Sequence, residues 1–142
     1  MKSVVTISTI VLLAFLGLLH FYWAVGGRAG LAASVPQKSD GSPVFAPGPA
    51  AAAAVGVALW MASAVLLVRL ACCTYFVAPR LATWSHAGCI ALSSIFLVRA
   101  VGDFRFVGFF KTLRSTHFAT LDTLLYTPVC VILSVGCLVA SF

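Results

Sequence analysis

The chain has 142 residues, of which 62% are apolar and only 8% are charged, so water cannot be the solvent for most of its surface. A net charge of +6 could suit a nucleic-acid-binding protein, but the basic residues flank apolar segments, which excludes nucleic acid as a partner. The composition predicts an integral membrane protein.

Four apolar stretches, each close to the ~20 residues that cross a hydrocarbon core, predict four transmembrane helices. They cover residues 4–25, 50–68, 81–101 and 119–140. Backbone polar groups in lipid must be satisfied within the chain, and no alternating pattern predicts a barrel, so we expect an all-α fold. Short connections make consecutive helices antiparallel, which predicts one four-helix bundle as a single domain over residues 1–142.

The first apolar segment follows Lys2, as the apolar region of a signal peptide would. Its apolar run is long for such a region, and we expect it to remain as a membrane helix. The segment ends in "LHFYWAVGG", residues 19–27, which brings His20, Tyr22 and Trp23 to one end of the bundle.

Residues 26–49 contain four prolines and several glycines, which exclude a continuous helix. We expect a loop that is long enough to fold over one end of the bundle. A lid or binding loop and a plain flexible connector both fit a loop of this length.

The five cysteines have no C-x-x-C spacing and lie in apolar surroundings, so we expect them to be buried as small side chains. This spacing argues against a dithiol redox enzyme. A zinc site would need a cluster of ligands that the sequence lacks, and we expect neither a metal nor another cofactor.

The third segment ends in "FLVRAVGDFRFVGFFK", residues 96–111, where charges enter an apolar run. Arg99 and Asp103 are spaced for an ion pair between residues i and i+4 if the helix continues. An ionisable group inside a membrane segment is unfavourable by several kcal/mol and indicates a functional site. A pair that only stabilises the bundle is the alternative.

Asp122 lies within the fourth segment, in "FATLDTLLYTPVC" (118–130), and Tyr126 shares its helix face. Antiparallel helices bring the end of the first segment, the start of the second, the end of the third and the start of the fourth to one side of the membrane. His20 should therefore lie at the depth of Arg99 and Asp122. The arrangement predicts a site at this end of the bundle.

These elements, "LHFYWAVGG", the Pro-rich loop, "FLVRAVGDFRFVGFFK" and "FATLDTLLYTPVC", together resemble a family of small four-helix bacterial membrane proteins of unknown function. The resemblance covers nearly the whole chain, and its most specific element is R-x-x-G-D-F-R-x-V-G-F-F-K. It implies the architecture and no activity. More weakly, in size and helix number, the chain is similar to small bacterial membrane terpene cyclases of the drimentine and xiamycin type, which cyclise farnesyl chains attached to indole-containing groups.

Acid-initiated cyclisation of a polyene needs an acid in a dry pocket and aromatic faces that stabilise carbocations. Both are available here, so our leading hypothesis is an enzyme of isomerase or lyase type that cyclises a farnesyl-type isoprenoid chain. Asp122 would donate the proton, Asp103 and Arg99 would orient or recharge it, and His20 would relay protons. Aromatic side chains would line the lipophilic substrate: Trp23, Tyr22, Phe104, Phe106, Tyr126 and Trp60.

Two other classes of function stay open. A lipid-binding, small-molecule-binding or transport protein would hold a polar head group with the same Arg, Asp and His side chains, with the loop as a gate and a homodimer as the transporting unit. A structural or accessory membrane subunit would use Arg99 and Asp103 only as packing contacts.

The distribution of cations predicts the orientation in the cell membrane. Six cations flank the polar end of the bundle and three flank the other end, which favours a cytoplasmic polar end and outside termini. We expect Arg105, Lys111 and Arg114 to be interfacial cations that extend toward lipid head groups. The six are Arg28, Lys38, Arg99, Arg105, Lys111 and Arg114, and the three are Lys2, Arg69 and Arg80.

Overall fold

The computed structural model describes residues 1–75 and 78–142. Within these residues, four helical segments are long and apolar enough to cross a membrane, which confirms the predicted all-α membrane fold. Three of them are α1 (Lys2–Ala24), α3 (Pro49–Tyr75) and α4 (Pro79–Val101), and the short helix α2 (Leu31–Ser34) lies between α1 and α3. The fourth consists of α5 (His117–Leu121), a π-helical turn (Asp122–Tyr126) and α6 (Thr127–Ser141).

The bundle is held together by contacts between pairs of helices. The helix α1 packs mainly against α3, and α4 packs mainly against α6, while α1 also contacts α6. The core between them consists of buried apolar side chains, among them Leu13, Leu66, Cys89, Leu133 and Cys137. Many outward-facing apolar side chains are exposed, as expected where lipid tails cover the protein surface.

Trp60, which was predicted to line a substrate, lies at the interface of α1 and α3. Its indole covers Gly17 so closely that a Cβ at that position would overlap it. The indole Nε1 donates a hydrogen bond to the carbonyl oxygen of Ala14 at 3.2 Å, and the Phe21 ring meets the indole edge-on, with 5.2 Å between centroids. Trp60 therefore joins two membrane helices.

The end of the bundle that carries both chain termini is closed by Arg69 and His86. The Arg69 guanidinium donates hydrogen bonds to the carbonyl oxygens of Ala140 (3.3 Å) and Ser141 (2.7 Å), and His86 Nδ1 lies 2.8 Å from the latter oxygen. These carbonyls end α6 and have no partner within it. Arg69 lies within α3, which continues past the end predicted at residue 68 to Tyr75.

The segment between α1 and α3 folds over the opposite end of the bundle. Within it, residues 37 and 43 form an antiparallel β-bridge. Two hydrogen bonds tie the segment to the fourth membrane segment: the Tyr126 hydroxyl donates to the Ala33 carbonyl oxygen at 3.2 Å, and the Phe118 N–H donates to Gln37 Oε1 at 3.3 Å. The loop is therefore docked on the end of the bundle that carries Asp122.

Candidate functional site

Asp122 is the centre of a buried charge cluster, and its side chain is 0% exposed. Its Oδ1 accepts a hydrogen bond from Arg99 Nη2 at 2.9 Å. Its Oδ2 accepts hydrogen bonds from the Gly108 N–H (2.8 Å), from Lys111 Nζ (3.0 Å) and from Thr127 Oγ1 (3.2 Å). A buried carboxylate needs such partners, and both oxygens of Asp122 have them, including two cations.

Lys111 was predicted to be an interfacial cation, and this prediction is wrong, because its side chain is only 3% exposed. Its ammonium donates to Asp122 Oδ2 at 3.0 Å, to the Gly108 carbonyl oxygen at 3.1 Å and to Thr123 Oγ1 at 2.7 Å. All three of its N–H groups are therefore engaged. The prediction failed because the spacing of charges does not reveal that the chain turns back after α4 and carries Lys111 inward.

The reversal of the chain depends on Gly102 and Gly108. Their φ angles are 92° and 88°, in the left-handed region that favours glycine. Their backbones lie against each other: a Cβ on Gly102 would overlap the Val107 carbonyl oxygen, and a Cβ on Gly108 would overlap the backbone of Gly102. Arg99 lies in the last turn of α4, and Lys111 lies in the connection that follows. The close crossing of the two glycines brings both side chains to the same carboxylate.

Asp103 lies in this loop, beyond the end of α4. Its Oδ1 accepts hydrogen bonds from the N–H groups of Arg105 (2.9 Å), Phe106 (2.7 Å) and Val107 (2.9 Å). The predicted ion pair with Arg99 is wrong, because i,i+4 spacing brings two side chains together only where the helix continues. Asp103 instead stabilises the backbone of the loop.

The role of Asp103 predicts a pH dependence of stability. Partial burial raises the pKa of Asp103, but the hydrogen bonds from the Phe106, Val107 and Arg105 N–H groups outweigh it and hold the pKa below its ordinary value. The ionised carboxylate therefore contributes stability above about pH 4 that is lost as the pH falls through the folded-state pKa. We expect thermal stability in detergent to fall more steeply below about pH 4 in the wild type than in Asp103→Asn. Parallel pH profiles would contradict this role.

The predicted residues of α1 are engaged with the turn that follows this helix. His20 Nδ1 lies 2.8 Å from a carbonyl oxygen of its own helix, and its ring meets Trp23 edge-on, with 4.9 Å between centroids. The indole of Trp23 donates to the Ala29 carbonyl oxygen at 2.8 Å, and the Ala29 N–H donates to the Tyr22 hydroxyl at 3.5 Å. Among the described residues, no hydrogen bond joins these side chains to Asp122.

The other predicted aromatic residues differ in their surroundings. Phe104 is 62% exposed and stacks with Phe110 at 6.1 Å between centroids. The Phe106 ring lies beneath the Arg105 guanidinium, 5.1 Å from its central carbon. Tyr126 is partly buried and connects the π-helical turn to the loop.

The π-helical turn has a physical cause in Pro128, which follows it. Proline has no N–H for the carbonyl four residues earlier, and its ring clashes with that carbonyl in a regular helix. The wider turn lets Thr127 Oγ1 reach Asp122 Oδ2 at 3.2 Å. Turns of this kind are frequent at functional sites. A proline shortly after an intramembrane acid is therefore the sequence signal that could have indicated Thr127 as a partner of Asp122.

An open cavity of about 510 Å³ lies beside the charge cluster, between the end of α4 and the docked loop. Arg99 is in its wall, with 36% of its side chain exposed. The Nη1 atom of Arg99 is buried and has no hydrogen-bond partner among the described residues. The wall consists of Ser34, Pro36, Phe45, Val98, Arg99, Gly102, Asp103, Val107 and Phe118.

The cysteines are free thiols, and Cys72, Cys89 and Cys137 are buried while Cys73 is exposed. In residues 1–75 and 78–142, no group of three His, Cys, Asp or Glu side chains is arranged to hold a metal ion. The cavity beside Arg99 is a feature of this end of the bundle that can receive a ligand.

Comparison with known proteins gives a family but no activity. The family described as "Protein of unknown function (DUF3995)" matches residues 13–137. No curated protein and no solved structure matches the chain. The comparisons give a family of unknown function and do not support the likeness to terpene cyclases, so isoprenoid cyclisation stays a prediction.

Proposed function

The chain belongs to the DUF3995 family, whose function is unknown, and we propose from its site that it binds an amphiphile with a single negative charge. The head group would pair with Arg99, and the hydrocarbon part would lie along the apolar wall of the 510 Å³ cavity. The observation that carries this proposal is the buried Nη1 of Arg99, which has no partner among the described residues although Arg99 lines a cavity.

The charges of the buried cluster favour an anion. Arg99 and Lys111 contribute two positive charges and Asp122 one negative charge, which leaves one positive charge in excess. Lys111 has no N–H left to donate. A buried donor without a partner is unfavourable by about 1–3 kcal/mol, and an oxygen of a bound anion would remove this penalty at Arg99.

The remainder of the wall favours a ligand with an apolar part and a small head. Val98, Val107 and Phe118 line the bundle side of the cavity, and Pro36 and Phe45 line the loop side. A volume of 510 Å³ lies within the range of about 300–1,000 Å³ that is typical of small-molecule sites. The nearby carboxylate of Asp103 disfavours a head group with a second negative charge, which favours a carboxylate.

The same geometry supports binding better than acid catalysis. A general acid must hold a proton and contact its substrate. The Asp122 carboxylate accepts hydrogen bonds on both oxygens and is not part of the cavity wall. Asp103 does line the cavity, but one of its oxygens accepts three backbone hydrogen bonds.

We also propose that the cavity opens on the cytoplasmic side of the cell membrane. With Arg99 and Lys111 set aside because both pair with Asp122, four cations still flank this end of the bundle and three flank the other. The C-terminus lies at the opposite end. A C-terminal fusion should therefore be active with a reporter that works only outside the cytoplasm and inactive with a reporter that works only inside it.

Photo-crosslinking of a long-chain carboxylate in phosphatidylcholine nanodiscs tests the binding proposal. We expect the unlabelled carboxylate to compete with labelling of the wild type. Its methyl ester should compete at least tenfold less effectively, because it has no charge to pair with Arg99. The variant Arg99→Gln should bind at least tenfold more weakly, which corresponds to about 1.4 kcal/mol.

The matched control is Arg28→Gln, which removes an exposed cation that does not line the cavity. It should label like the wild type. The variant Arg99→Lys keeps a positive charge beside Asp122. It therefore shows whether a loss of binding can be separated from a loss of folding. Labelling of Arg99→Gln at the wild-type level, or equal competition by acid and ester, would refute the proposal.

A further inference from the structure

We propose a second anion site at this end of the bundle, in which Lys38 and Arg105 bind the phosphate of an anionic phospholipid. The site is a cavity of about 360 Å³ between the β-bridged turn of the loop and the segment that follows Asp103. It shares no lining residue with the amphiphile cavity and goes beyond the function proposed there. Its wall consists of Lys38, Ser39, Arg105, Phe106, Thr112 and Leu113.

Neither cation of this wall forms a salt bridge with a described residue. Both salt bridges of the described residues lie in the buried cluster, and neither involves Lys38 or Arg105. The carboxylates nearest in sequence accept hydrogen bonds from other groups: Asp40 Oδ1 accepts from the N–H (2.9 Å) and hydroxyl (2.7 Å) of Ser42, and Asp103 accepts from backbone N–H groups. Two positive charges in one cavity match a phosphate group.

The backbone on both sides of the cavity is held by hydrogen bonds. The Lys38 N–H donates to the Ser42 carbonyl oxygen at 2.8 Å, and the Leu113 N–H donates to the Arg105 carbonyl oxygen at 3.0 Å. The Arg105 guanidinium lies over the Phe106 ring, which orients it by a cation–π contact. Ser39 and Thr112 line the same cavity, and a hydroxyl is a group that can donate to a phosphate oxygen.

Exposed phenylalanines on the same segment favour a lipid as the source of the phosphate. Phe104, Phe109 and Phe110 are 62%, 51% and 60% exposed. Aromatic and basic side chains that alternate in this way are typical of the boundary between head groups and acyl chains. The segment would insert these rings beside the acyl chains while Lys38 and Arg105 contact the phosphate above them.

Native mass spectrometry of the detergent-purified protein tests this site. We expect the wild type to retain phosphatidylglycerol adducts in preference to phosphatidylcholine adducts. The double variant Lys38→Gln/Arg105→Gln should retain phosphatidylglycerol at least fivefold less. Inorganic phosphate at millimolar concentration should displace little of the lipid, because it lacks the acyl chains that contact the phenylalanines.

The control variant Arg28→Gln/Arg114→Gln removes the same charge from the same end of the bundle but leaves the cavity wall intact. It should bind phosphatidylglycerol like the wild type, and circular dichroism should confirm that both double variants are folded. Equal loss in both variants would assign the effect to net charge and refute the site. Displacement of the lipid by millimolar phosphate would refute the lipid assignment. Crosslinking of the carboxylate probe at Arg99 should be unchanged in Lys38→Gln/Arg105→Gln, which keeps the two proposals separately testable.

Discussion

Replacement of Asp122 by asparagine should lower the free energy of unfolding by about 3–5 kcal/mol, because it leaves the buried Lys111 ammonium and the partly exposed Arg99 guanidinium without a counter-ion. In the wild type, Arg99 and Lys111 donate to the carboxylate at 2.9 and 3.0 Å, and the aspartate is fully buried. Asparagine has nearly the same shape, so the change acts through charge and hydrogen bonding and leaves no cavity. Unfolding by sodium dodecyl sulfate in mixed micelles, followed by circular dichroism, measures the difference.

Two comparisons show whether this loss comes from the cluster. The exposed Asp40→Asn should change the stability by no more than about 0.5 kcal/mol, because it removes an acid from a solvent-exposed turn. In a double-mutant cycle with Lys111→Met, the pair Asp122→Asn/Lys111→Met should be less destabilised than the sum of the single variants by at least about 1 kcal/mol. Additive losses would mean that the ion pair does not couple the fourth segment to the loop.

The membrane architecture could be predicted from the sequence because it depends on local properties. Apolar runs of sufficient length specify membrane helices, and helices that cross a membrane one after another alternate in direction. It could also be predicted that Asp122 needs polar partners, because an acid without them is unfavourable in a membrane segment. Both inferences need only the composition of a segment and its solvent.

The partners of Asp122 could not be predicted, because they depend on how the chain reverses after α4. The spacing of Arg99 and Asp103 indicates a helical ion pair, whereas the helix ends at Val101 and Arg99 pairs with a residue of the fourth segment. Lys111, which follows the reversal, is buried rather than interfacial. A pattern of charges along a sequence cannot distinguish these outcomes unless the backbone of the loop is known.

The element R-x-x-G-D-F-R-x-V-G-F-F-K therefore has a structural meaning that its charges alone do not indicate. Its first and last residues, Arg99 and Lys111, both bind the carboxylate of Asp122. Its aspartate, Asp103, binds the backbone between them. The element thus brings two cations to one acid, and Arg99 Nη1 is left without a hydrogen-bond partner among the described residues.

Replacement of Gly108 by alanine should destabilise the protein by about 2–5 kcal/mol. An alanine at φ 88° is unfavourable by about 1–2 kcal/mol, and its Cβ would overlap the backbone of Gly102. The loop would have to open, which adds a penalty of about 1–3 kcal/mol for overpacking. Opening would also move the Gly108 N–H away from Asp122 Oδ2, to which it donates at 2.8 Å.

Gly41→Ala separates the effect of backbone conformation from that of close contact. Gly41 has a φ of 80°, close to that of Gly108, but a Cβ there would meet nothing within 4 Å. This variant should therefore lose only the about 1–2 kcal/mol that alanine loses in the left-handed region. Gly108→Ala should be the less stable of the two by at least about 1 kcal/mol in the same micellar unfolding experiment and should also lose carboxylate crosslinking. Equal stabilities would mean that the two glycines at positions 102 and 108 do not need to touch, and that the chain can present Lys111 to Asp122 without the crossing.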